Sequence, residues 1–154
     1  MISALRALFF GALLTASVTA CSPAPTPIPT STVTIEQAAQ AYSAFSTSWT
    51  GEYTDVLNAD AAAADADLDN VAQYARTIAN AYDAFGRGIR AIAFPTAIQP
   101  TVQQELEAVD VLVALGKQLE RDSSNLSIKM QLQEALARVG QRSGAVEVGL
   151  GLQH

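Results

Sequence analysis

Leu68-Asp-Asn-Val71-Ala-Gln-Tyr-Ala75-Arg-Thr-Ile78-Ala-Asn-Ala-Tyr82-Asp-Ala-Phe85-Gly-Arg-Gly-Ile89-Arg-Ala-Ile92 decides the fold of this 154-residue chain. Leu68, Val71, Ala75, Ile78, Tyr82, Phe85, Ile89 and Ile92 recur at steps of 3-4-3-4-3-4-3, an unbroken helical seam. A seam of that period faces neighbours crossing at ~20°, the geometry of bundles. Asp67 is expected as the N-cap, with Asp69 adding negative charge at the positive helix end. Pro95 is expected to end the helix, because it pushes Phe94 out of helical geometry.

The flanking segments repeat the pattern. Thr34-Ile-Glu-Gln37 fits a capping box and opens a first helix with Ile35, Ala38, Tyr42, Phe45, Trp49, Tyr53 and Val56 or Leu57 on its apolar face. A kink near Gly51 and a loop over 58–66 are expected after it. Pro100 suits the first turn of a third helix carrying Val102, Leu106, Val109, Leu112, Val113, Leu115 and Leu119. After the turn at Ser123-Ser-Asn125, a fourth helix presents Ile128, Leu132, Ala135, Leu136, Val139, Val146 and Leu150. Gly140, Gly144, Gly149 and Gly151 should weaken its last turns. Strand signals are nearly absent. The expected fold is all-α, an up-down-up-down four-helix bundle spanning residues 34–152.

Residues 1–20 have the parts of a secretory leader: a short n-region with Arg6, an apolar run over Ala7–Leu14, and small polar residues after it. The apolar run falls short of the ~20 residues that cross a bilayer. Val18-Thr-Ala-Cys21 contains the only cysteine and resembles a lipobox, the lipidation signal of bacterial lipoproteins; a plain cleavage site is the alternative. The resemblance implies a diacylglyceryl thioether on Cys21 with a further acyl chain such as palmitate on its amine, enough for stable anchoring. Ser22 follows, not Asp, so the best-known inner-membrane retention signal is missing. The implied location is the cell membrane or outer membrane, with the domain on the extracytoplasmic side. Residues 21–33 then form the lipidated end and a tether with four prolines, read as a polyproline-II spacer of ~3.1 Å per residue. The body is similar in style to small Ala-rich helical lipoproteins, through this tether, the Phe94-Pro95 break and the Gly149-Leu-Gly-Leu152 end.

The chain carries a formal charge of −6. Between Cys21 and Ala75 lie Glu36, Glu52, Asp55, Asp60, Asp65, Asp67 and Asp69, with no Lys or Arg among them. That distribution argues against nucleic acid, which needs a basic footprint. An up-down bundle anchored at residue 21 would set the acid-rich 58–66 and 122–126 ends away from lipid, and Arg87, Arg90, Arg138 and Arg142 toward it. The helix macrodipole favours the same arrangement without any partner.

Residue types for most catalytic chemistry are scarce. The one histidine, His154, ends the sequence, so Ser-His-Asp and Cys-His arrangements have no member to supply the base. Zinc and di-iron ligand sets are missing. Asp65-Ala-Asp67-Leu-Asp69-Asn70 resembles the opening of a calcium loop, but Asn70 and Arg76 stand where an EF-hand has Gly and Glu. Asp65, Asp67 and Asp69 are therefore weak candidates for a cation, with helix capping the plainer role. Gly86 and Gly88 follow no strand, so no phosphate loop is implied. Tyr42, Trp49, Tyr53, Tyr74 and Tyr82 are read as packing residues. The expectation is a non-enzymatic envelope module, without a cofactor, that binds another envelope protein; the alternative is a binder of a cation or small apolar ligand. Mass analysis of the mature protein should show an acylated N-terminal Cys21, and Cys21→Ser should leave the leader uncleaved or the product unacylated.

Overall fold

The computed structural model describes residues 32–67 and 70–152; Cys21, the proline tether, Leu68, Asp69 and His154 lie outside them. The described chain forms four helices and no strands: α1 Ile35–Ala66, α2 Val71–Ala91, α3 Gln99–Arg121 and α4 Leu126–Gly149. It is an all-α four-helix bundle. Among the described residues, no helix is long and apolar enough to cross a membrane.

Helix boundaries follow local chemistry. At the start of α1, the Thr34 side chain accepts from the Gln37 N–H at 3.2 Å, and the Gln37 side chain accepts from the Thr34 N–H at 3.0 Å. This is the reciprocal capping box expected there. At the other end, the expected loop over 58–66 is instead helix. Its alanines are the best helix formers, and Ala64 is buried. Asp67 closes α1 as its C-cap and does not open α2. The N-cap of α2 is Asn70, whose side chain reaches back to the Ala63 carbonyl at 3.4 Å. The tail of α1 is held sideways on α2, where the Thr77 hydroxyl and the Gln73 amide both donate to Asp60 Oδ2.

Between α3 and α4, Asp122 accepts from Ser124 and Asn125, while Asn125 caps the Ile128 N–H at 3.2 Å. The glycine-rich end of α4 forms a defined stop. Gly151 adopts φ 74°, the left-handed conformation. Its N–H donates to the Val148 carbonyl, and the Leu152 N–H donates to the Glu147 carbonyl. This Schellman arrangement satisfies terminal carbonyls and returns Leu150 and Leu152 to the core.

The core follows the expected seams, with Val71, Ala75, Ile78 and Ile89 of α2 buried against Val109, Leu112 and Leu119 of α3 and Leu132, Val139 and Val146 of α4. On α1, the expected inward position Ile35 turns out, and of the alternatives Val56 and Leu57 it is Leu57 that turns in. Ile35 is 47% exposed, being the first helical residue, and Val56 is 49% exposed because Leu57, four residues after Tyr53, takes the inward direction. Consecutive helices pack along their lengths. The backbones of α1 and α4, whose contact would close the ring, approach less closely than those of consecutive helices. That side of the bundle is open.

Small residues set the spacing of α2 and α3. A Cβ on Gly116 would stand 3.0 Å from both the Ala75 carbonyl oxygen and the Ala79 Cβ. Neither atom can swing away, so a larger side chain must separate the helices. Gly116→Val is expected to lower stability by about 1–3 kcal/mol in urea unfolding. Gly51→Ala and Gly144→Ala, where a Cβ meets nothing within 4 Å, should each raise it by about 0.5–1 kcal/mol.

Candidate functional site

The open side is lined by two unlike helix faces. On α1, Tyr42, Phe45, Trp49 and Tyr53 follow one another at helical spacing. On α2, Tyr82 and Phe85 lie opposite. Trp49 meets Phe85 edge-on at 5.1 Å between ring centroids, Tyr82 at 5.2 Å and Tyr53 at 5.6 Å. Its indole N–H donates to the Ala81 carbonyl at 2.9 Å, which fixes the ring on α2. Phe45 lies 5.5 Å from Phe85 and against the bare backbone of Gly88, where any side chain would displace its ring. The expected packing role of these aromatics therefore holds, and it leaves several of their surfaces at the edge of the seam.

The facing side of α4 supplies Leu136, Val139, Gly140, Ser143 and Glu147. A Cβ at Gly140 or Gly144 would meet nothing within 4 Å. The Gly-x-x-x-Gly pair thus mediates no close helix packing among the described residues. The result is a cleft of 200 Å³ between α1 and α4, floored by Tyr82 and Phe85. Tyr42, Ser143 and Glu147 line it together with Ser46, Trp49 and Thr50. It is smaller than the ~300–1,000 Å³ typical of drug-sized sites, so its occupant would be small.

Behind this lining is the one fully buried charged residue among the described ones, Glu105 of α3, with 0% exposure. Tyr42 Oη donates to its Oε1 at 3.0 Å from α1, and Ser143 Oγ donates to the same oxygen at 2.6 Å from α4. Three helices therefore meet on one carboxyl oxygen. Oε2 is buried without a hydrogen-bond partner. Burial pushes Glu105 above the ordinary carboxylate range, Ser143 and Tyr42 pull it back by donating to it, and nearby Glu147 raises it further. Burial and the Glu105 charge likewise push the Tyr42 hydroxyl well up. An unsatisfied buried polar group costs about 1–3 kcal/mol, and such groups concentrate at functional sites.

Sequence reasoning missed Glu105, although a signal exists. Val102, Glu105, Val109, Leu112, Gly116 and Leu119 step 3-4-3-4-3, and all are buried. The seam of α3 therefore contains a carboxylate, where the neighbouring Leu106 drew attention and is only half-buried. The residues singled out for a cation lie elsewhere. Asp65 is exposed in the last turn of α1, Asp67 caps that helix, and Asp69 is outside the described residues. No group of three His, Cys, Asp or Glu able to hold a metal occurs among the described residues. Acids of the same end are engaged locally: Asp60 by Thr77, Glu120 by Arg76 at 2.7 Å, and Asp122 by its own turn. Arg87 pairs with Asp83, Arg90 with Asp110, and Arg142 with Gln104.

Chemically, the cleft offers aromatic faces, hydroxyls already donating to Glu105, and one carboxylate, Glu147. Because the folded state holds the Glu105 proton more tightly than the unfolded chain, this group's contribution is greatest at low pH. It diminishes as pH rises from the ordinary glutamate value of 4.5 through the raised folded value. Glu105→Gln, which keeps an acceptor for both hydroxyls, should flatten that part of the stability–pH profile. Glu105→Ala, which strands both hydroxyls, should cost about 2 kcal/mol or more at neutral pH in urea unfolding. Comparison with protein-family models, with curated proteins and with solved structures finds no match to this chain.

Proposed function

We propose that this chain is a non-enzymatic binding module, lipid-anchored through Cys21 on the extracytoplasmic side of a bacterial cell or outer membrane, and that the α1–α4 cleft is its binding site for a small ligand with an apolar body. The anchor rests on Val18-Thr-Ala-Cys21 and the proline tether that follows. The binding role rests on one observation: the ring of helices is left open where the aromatic floor is richest. A domain of this size gains most by closing its core. Holding two helices apart over tyrosine, tryptophan and phenylalanine forgoes that gain, which a ligand would restore.

A protein partner in the envelope is the second reading, favoured by a different observation. Leu126 and Met130, one turn apart at the start of α4, are 69% and 56% exposed. A pull-down from envelopes with Leu126 and Met130 exchanged for Ser addresses that patch separately.

Trp49 is the chain's single tryptophan and lines the cleft, so its emission reports occupancy directly. Benzyl alcohol and benzyltrimethylammonium chloride serve as neutral and cationic ring probes. At least one should change Trp49 emission saturably. Gly140→Phe, which puts a ring into open space, should abolish the response without lowering the melting temperature. If neither probe changes the emission, the cleft is not a ligand site.

A further inference from the structure

We infer that the α1–α4 cleft takes a small organic ammonium cation, its charged end toward Glu147 and its body against the rings of Trp49, Tyr82 and Phe85. The inference rests on the reading of the cleft as a ligand site and adds the class of ligand.

Charge is the first ground. Glu147 is the one ionisable carboxylate in the lining, and no Lys, Arg or His accompanies it. Helix α1, one whole wall, carries no base along its length. The three bases of α4 lie outside the lining: Arg138 and Arg142 line grooves on the α3 side, with Arg142 bonded to Gln104, and Lys129 sits in the first turn of the helix. On α2, Arg87 is held by Asp83. An anion entering the cleft would meet Glu147 with no counter-charge, whereas a cation would find one. Low dielectric between the helices strengthens that attraction relative to the surface.

The aromatic floor is the second ground. Cations are attracted to the faces of Trp and Tyr, by up to ~2 kcal/mol where water is excluded. Several rings converge within 5.1–6.2 Å of one another around Trp49, Tyr82 and Phe85. The third ground is the unpartnered Oε2 of fully buried Glu105, whose other oxygen is bonded by the lining residues Tyr42 and Ser143. A second carboxyl group, desolvated and incompletely bonded, stands behind the wall that Glu147 belongs to. Divalent metal fits less well, because it needs about six or more oxygen ligands and the lining offers one carboxylate among aromatic rings.

The test compares the two ring probes by Trp49 emission and calorimetry on the full domain. Benzyltrimethylammonium should bind at least about tenfold more tightly than benzyl alcohol. Glu147→Gln should reduce that preference several-fold, by weakening benzyltrimethylammonium more than benzyl alcohol. High salt on the unaltered protein should weaken the cation and spare the alcohol, a measurement independent of any substitution. Equal binding of the two probes, or a preference that survives both Glu147→Gln and high salt, overturns the inference and leaves the cleft standing as a site for neutral ligands. Binding of neither probe removes the cleft reading itself.

Discussion

The close approach of α2 and α3 at Gly116 is the constraint on which the rest of the bundle depends. Ala75, Ala79 and Gly116 present almost no side-chain bulk, so the two backbones meet nearly directly. That brings the backbones of the central pair into near contact at this level, and each outer helix packs on one member of the pair. Helix α1 lies on α2 and α4 lies on α3. Nothing in that arrangement forces α1 and α4 together. Whether the fourth seam closes depends only on the side chains that the two outer helices carry toward each other. Those residues are large rings on one side and Leu136, Val139, Gly140, Ser143 and Glu147 on the other.

Glu105 is the counterweight to that openness. Through a single oxygen it holds Tyr42 of α1 and Ser143 of α4, the two outer helices. Both bonds cross the interior, so they fix how far apart the outer helices sit at that level. A hydrophobic residue at 105 would fill the same space with less desolvation, as buried ionic groups generally do not maximise stability. A carboxyl group supplies what an alkyl group lacks: directional bonds that define one spacing between α1 and α4. The cleft has a determinate width at its Tyr42–Ser143 end for that reason.

Much of this architecture is written in hydrophobic spacing. The seam from Val71 to Ile92 predicts α2 and its buried face, and the capping box at Thr34 predicts the first residue of α1. The misreadings share a physical cause. The segment 58–66 combines Asn and Asp, which favour turns, with alanines that favour helix. Its outcome turned on tertiary support from α2, where Thr77 and Gln73 grip Asp60. Asp67 was the best capping residue by type, but α1 ran far enough to consume it. Glu105 was hidden by its chemistry: polarity marks a surface residue in any one-dimensional reading, and only its 3-4 register with Val102 and Val109 disagreed. The cleft had no linear signature, since it is defined by contacts that two distant helices do not make.

The glycines of α4 carry the last step of this reasoning. Within a helix, each costs about 1 kcal/mol against alanine. Natural sequences commonly recover that cost by close packing, as Gly116 does here. Gly140 and Gly144 recover nothing of the kind among the described residues, because a Cβ at either position would meet nothing within 4 Å. A local rule broken without an internal gain points to a requirement outside the folded chain's own stability. Alanine at these positions would improve the helix, and a larger residue at Gly140 would fill the space over Trp49 and Phe85. Gly140 keeps its part of the cleft empty, and the aromatic floor there gives the emptiness a chemical character.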